Sequence, residues 1–214
     1  MTGDMYEPAD EAVRPEILET FRATWTWIAA PGAWWDGAER VEIASAARAA
    51  RETAGTPVHH DALPPATVEA VAMIAASPAA VTEAWVTRIC DTIGEPRYVE
   101  LVGIVAVVSA IDTFYRLTGR PLSPLPQAQP GEPSREAAPE GLRRNRTWVR
   151  MVMPVPPFVL GAVPSVMAAM NDLSDVLYMP HGEMGDPDWR RRDLHRTQIE
   201  LVAASTSHVN ECFY

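Results

Sequence analysis

The chain has 214 residues, 47% of them hydrophobic, and a formal net charge of −10 from 28 acidic and 18 basic side chains. Its length is ample for a buried core in one domain or two small ones, and its acidity argues against nucleic acid and against an anionic membrane surface, both of which need a basic face. The sequence offers no uninterrupted apolar run of the roughly eighteen residues that a membrane span requires, and its acidic start, Met1 to Glu7, lacks the features of an export signal, so a cytoplasmic location is expected.

Apolar residues recur at helical rather than alternating spacing, which predicts an all-α fold. The first helix spans residues 10–30, with Val13, Ile17, Phe21, Trp25 and Ile28 on one side. Trp25, Trp27, Trp34 and Trp35 gather around the breaker Pro31-Gly32 and are expected to pack that loop onto the core. Asp36 caps a second helix over 36–54, which Gly55 ends. His59-His60-Asp61 reads as a Pro-flanked loop, because adjacent histidines diverge and no second ligand cluster with zinc spacing exists. Pro65 starts a third helix that runs to Ala76. Ser77-Pro78 then supplies a cap and a first-turn proline for a fourth, ending near Gly94. Cys90, inside it, is expected to be a small buried apolar side chain, and two distant cysteines make no disulfide framework. The fifth helix, 97–117, is the most apolar of the first half.

Residues 120–141 hold six prolines, which exclude helix and strand and predict a stiff linker along the surface. An interrupted apolar segment over 155–164 leads into a helix over 165–178, with Val166, Met170, Leu173 and Leu177 on one face. Arg190-Arg191-Arg192 is expected to be a solvated loop or a helix lead-in. In the last stretch Ile199, Leu201, Val202, Ala203 and Val209 predict a helix buried almost all round, with Glu200 in its middle. A carboxylate placed there needs a partner or a task, and a neighbouring Arg or Trp is the simplest partner. The helix should end near Asn210, putting Cys212 in the first turn of a following helix, where the positive helix end favours thiolate. His208 reads as a partly exposed residue at the helix end.

The run Gln198-Ile-Glu200-Leu-Val-Ala203, followed by Ser207-x-x-Asn210-x-Cys212-Phe-Tyr214, resembles the core motif of the alkylhydroperoxidase (AhpD-like) and carboxymuconolactone decarboxylase superfamily. That motif runs Glu, then Ser-x-x-Asn-x-Cys-x-x-Cys, then His four residues on. Glu200 and Cys212 stand twelve residues apart, as in the family; the second Cys would be residue 215 and the His residue 219, both past Tyr214. A fainter copy lies upstream, where Val99-Glu100-Leu101-Val102 matches Ile199-Glu200-Leu201-Val202 at an offset of one hundred. Asp112 and Tyr115 occupy its cysteine positions, so this copy is expected to be structural, with Glu100 a buried hydrogen-bonding residue or a vestige.

The resemblance implies two pseudo-repeated helical halves, 1–119 and 142–214, joined by the Pro-rich 120–141, with the second half ending before its last helix, in a homo-oligomer. It implies a peroxidase-type oxidoreductase without metal or cofactor. The second Cys attacks a hydroperoxide, Cys212 resolves the product to a disulfide, and a dithiol partner, a lipoyl or thioredoxin-like protein, reduces it. Glu200 would be the proton-relay base. The chain as written is not expected to complete that cycle. One account is that residue 215 is selenocysteine encoded by UGA; an arbitrary boundary, a frameshift or a degenerate gene are the others. The reading from a different class is a non-catalytic helical assembly protein, or a decarboxylase-like protein that works without cysteines.

Overall fold

The computed structural model describes residues 13–56, 60, 62–144, 147–153, 158 and 160–210. Among them seven α-helices and one two-stranded hairpin follow in the order α1 (Pro15–Ala29), α2 (Gly37–Glu52), α3 (Pro65–Ala76), α4 (Glu83–Ile93), α5 (Glu95–Leu117), α6 (Pro164–Leu177), β1 (Arg190–Arg191), β2 (Leu194–His195) and α7 (Arg196–Val209). The protein is all-α apart from the hairpin.

Local chemistry sets most of these boundaries. Asp36 opens α2 through a capping box: Glu39 N–H donates to Asp36 Oδ1 at 2.8 Å and Asp36 N–H to Glu39 Oε2 at 2.9 Å. The fourth helix begins later than the Ser77-Pro78 signal predicts. Ser77 instead ends α3, Pro78–Ala80 forms a single 3-10 turn, and Thr82 is the cap, its Oγ1 accepting from Trp85 N–H at 3.3 Å. A proline fixes φ but supplies no acceptor, whereas Thr82 satisfies one of the orphan donors of the helix end.

α5 is the axis of the core. Leu101, Ile104, Val107 and Ile111 have no exposed surface, and α2, α3, α4 and α6 all pack against the helix. Each such side chain contributes about 1.5–3 kcal/mol by leaving water. By length and composition α5, with a mean hydropathy of 1.6 over its most apolar window, is long and apolar enough to cross a membrane, contrary to the expectation that no segment is. Here 61% of that window is buried by the neighbouring elements, while Leu117 at the helix end is exposed. Gly103 permits the close crossing of α6, since a Cβ there would lie 2.2 Å from Val166 Cγ1.

Residues 120–138 form neither helix nor strand. The segment lies along the first helices, with Gln129 N–H donating to Ala29 O at 2.8 Å, Ser134 N–H to Gly32 O at 2.8 Å and Arg135 N–H to Ala33 O at 2.9 Å. Arg190-Arg191-Arg192, expected in a loop or helix lead-in, enters a hairpin instead, with Arg190 opposite His195 and Arg191 opposite Leu194. The turn is made by Arg192 in the left-handed region, φ +53°.

The tryptophan cluster does pack the 30–36 loop onto the core, in a specific manner. Trp35 is fully buried, and its Nε1 donates to Arg97 O at 3.0 Å. Each of the four rings carries a guanidinium: Arg48 over Trp25 at 5.2 Å, Arg40 over Trp27 at 4.0 Å, Arg135 over Trp34 at 5.1 Å and Arg97 over Trp35 at 4.5 Å. A planar, delocalised cation stacks on an aromatic face as an ammonium cannot.

Candidate functional site

α7 starts at His195, whose Nδ1 accepts from Thr197 N–H at 3.3 Å while His195 N–H donates to Gln198 Oε1 at 2.9 Å. It ends with Asn210 at the C-cap, where the sequence places the stop. The expected burial is absent: α7 has no buried residue, and Leu201, Val202 and Val209 are 67%, 67% and 80% exposed. The apolar spacing is real, but among the described residues only the hairpin strand β2 packs against this helix closely.

Glu200 is therefore a half-exposed carboxylate rather than a buried one. It is nevertheless held at both oxygens. Oε2 accepts from the Tyr178 hydroxyl at 2.7 Å, and Oε1 accepts from Arg196 Nε at 3.2 Å, one helical turn back. Burial pushes the Tyr178 phenol up, and its hydrogen bond to Glu200 pushes it the same way, so it stays a donor through neutral pH. Arg196 also fixes the preceding loop, with Nη1 donating to Met184 O at 2.5 Å and Asp186 O at 2.9 Å. Beside Glu200 an open hollow of about 470 Å³ is lined by Met184, Gly185, Pro187, Arg196 and Thr197. The arrangement holds a carboxylate in one orientation at a solvent-accessible surface.

Cys212 lies outside the described residues, as do His59 and Asp61. Ser207 is half-buried, His208 is exposed, and Asn210 donates from Nδ2 to Thr206 O at 2.8 Å. Sequence reasoning foresaw Arg as a simple partner for Glu200, and Arg196 at the i−4 position is the local signal for it. Tyr178 was not foreseen: it is 22 residues away in sequence, and only the fold brings it in. His60 is buried and pairs with Glu42 Oε1 at 2.5 Å, a contact that the loop reading did not contain.

The upstream carboxylates are in a different setting. Glu100 has no exposed surface; its Oε2 accepts from Trp34 N–H at 2.6 Å, and Oε1 lies 3.6 Å from Arg40 Nε. Burial raises the Glu100 carboxyl, against the lowering effect of Arg40 and of the loop amides, and burial brings Arg40 down to about 10. Asp112 is held by two hydrogen bonds from Arg48, Nε at 2.8 Å and Nη2 at 2.7 Å, and Arg48 Nη1 reaches Ser123 O at 2.8 Å. These buried pairs fasten α2 to α5. Cys90 is buried, as expected, and its thiol is pushed up to about 11 by burial, so it is an inert thiol at neutral pH. All 18 basic side chains are arginine, so this chain supplies no lysine amine for Schiff-base chemistry.

No protein-family model, no curated protein and no solved structure matches this chain.

Proposed function

We propose that the protein is an alkylhydroperoxidase-like thiol or selenol peroxidase, in which Glu200 relays protons and Cys212 is the resolving thiol. The observation that supports this most is Glu200: a carboxylate anchored at both oxygens by Tyr178 and Arg196, open on one side to a hollow, on a helix whose last residue, Val209, stands three residues before Cys212. In the proposed cycle a thiolate or selenolate three residues after Cys212 attacks the O–O bond of the hydroperoxide. Glu200 takes the proton of the attacking thiol or selenol and passes it to the departing alkoxide, which leaves as the alcohol, and the attacking atom becomes a sulfenic or selenenic acid. The Cys212 thiol then attacks that atom, its proton leaves with the displaced hydroxide as water, and the new disulfide or selenenyl sulfide is reduced by a lipoyl or thioredoxin-like dithiol. The two helical halves are, on this reading, copies of one unit, of which the first keeps Glu100 for structure alone.

The test is hydroperoxide consumption driven by a dihydrolipoyl or thioredoxin-type reductant, using protein expressed from the gene with whatever the reading frame adds after Tyr214. Cys212→Ser should abolish turnover, and Glu200→Gln should slow it by about 10²–10⁴-fold, the usual worth of a positioned proton donor or base. Turnover indifferent to both changes would exclude the proposal. A second reading, a non-catalytic helical assembly protein, is favoured by the exposed apolar residues of α7. It predicts that Cys212→Ser leaves every property intact.

A further inference from the structure

A second hollow, of about 560 Å³, lies between the start of α1, the end of α5 and the β1–β2 hairpin. Its walls are apolar, from Ile17, Phe114 and Leu194, and four arginines, Arg14, Arg120, Arg191 and Arg192, line it. Asp193 shares the lining, so the hollow is arginine-rich in a chain of net charge −10.

Two of the guanidiniums converge on one acceptor. Arg14 donates from Nη2 to Val176 O; Arg191 donates from Nη1 to the same oxygen at 3.2 Å and from Nη2 to Asp175 O at 2.8 Å. The carbonyls at the end of α6 carry roughly half a negative charge, which does not balance two full positive ones. Glu16 offsets part of the remainder, but its side chain is 52% exposed and its bond to Arg14 Nη1 is partly screened. Arg191 Nε is buried and meets no acceptor among the described residues. An unpaired buried donor is costly. Burial and the proximity of Arg14 lower the Arg191 pKa, and the carboxylates of Glu16 and Asp175 oppose them. One buried guanidinium N–H of the site therefore lacks an acceptor among the described residues.

We propose that this hollow binds a carboxylate carried on an apolar tail. The planar carboxylate matches the guanidinium fork, the tail takes the apolar wall, and the volume is in the ordinary range for a small ligand. Asp193, also on the lining, disfavours a doubly charged headgroup. This site is independent of Glu200 and of the peroxidase reading.

The experiment is calorimetric titration of the full chain with decanoate, with 1-decanol and inorganic phosphate as controls. One-to-one saturable binding of decanoate is expected, at least tenfold tighter than either control. It should weaken at least tenfold in Arg191→Met, in Arg192→Glu and in Leu194→Asp; the last two change exposed residues and leave the fold intact. Equal binding of decanol, equal binding of phosphate, or affinity unchanged in the latter two variants overturns the proposal. So does binding that appears only when residues 1–12, which include four carboxylates, are removed.

Discussion

Gly32 shows how a single missing side chain permits the buried Arg40–Glu100 pair. A Cβ at this position would lie 1.8 Å from Glu100 Oε1 and 2.5 Å from Arg40 Nη1, and both side chains are fully enclosed. Gly32→Ala should destabilise the protein by about 1–3 kcal/mol, the usual effect of overpacking, as read by urea denaturation. Asp112→Ala leaves Arg48 without its carboxylate in a largely buried position and should cost about 3–5 kcal/mol. Glu100 has a pH signature. Its folded pKa is raised, so the folded state holds a proton that the unfolded state has lost, and its contribution to stability falls as pH climbs from the ordinary value of 4.5 towards the raised one. Subtracting the stability–pH curve of Glu100→Gln from that of the native protein should leave a difference that declines over that window and is flat above it. A flat difference throughout would mean that Glu100 titrates normally. The fainter repeat marked Glu100 as either a buried hydrogen-bonding residue or a vestige, and the fold makes it the former. The sequence did not announce Arg40, sixty residues away, since pairing across two helices leaves no local trace.

At the level of the element, what was legible is what is decided within a few residues. The Asp36 capping box, the Pro65 start of α3 and the Asn210 stop of α7 are written in side chains that touch the backbone they terminate. Asp36→Ala should therefore cost about 1 kcal/mol. The fourth helix was misplaced because Ser77-Pro78 and Thr82-Glu83 are both valid starts, and choosing between them depends on how the chain leaves α3. The burial of α7 was misjudged for a related reason: apolar spacing specifies a face but not the surface that covers it. Since Leu201 and Val202 already face solvent, changing both to Glu should alter monomer stability by no more than about 0.5 kcal/mol each. On the assembly reading the same change should shift the protein to smaller species in size-exclusion chromatography.

For the whole molecule, the all-α class followed from periodicity, and α5 as its apolar centre followed from composition. The candidate site was legible only in part. The spacing of Glu200 to Cys212 is visible in sequence, while the Tyr178 hydroxyl that anchors Glu200 comes from the end of another helix. The arginine-lined hollow was less legible still, because it draws on α1, α5 and a hairpin that sequence reasoning took for a loop or helix lead-in.

The loop at 30–36 is hydrogen-bonded on both of its edges. Its carbonyls at Gly32 and Ala33 accept from Ser134 and Arg135 of the proline-rich segment, while its amide at Trp34 donates inward to Glu100. The segment therefore has no contact of this kind with Glu100, yet shares one short piece of backbone with it. Amide hydrogen exchange should make this visible as a relay: in Glu100→Gln the amides of Ser134 and Arg135 should exchange faster together with Trp34, although the changed atom is buried on the opposite side of the loop. The outermost stretch of the protein would then act as a reporter on the protonation of its most enclosed carboxylate.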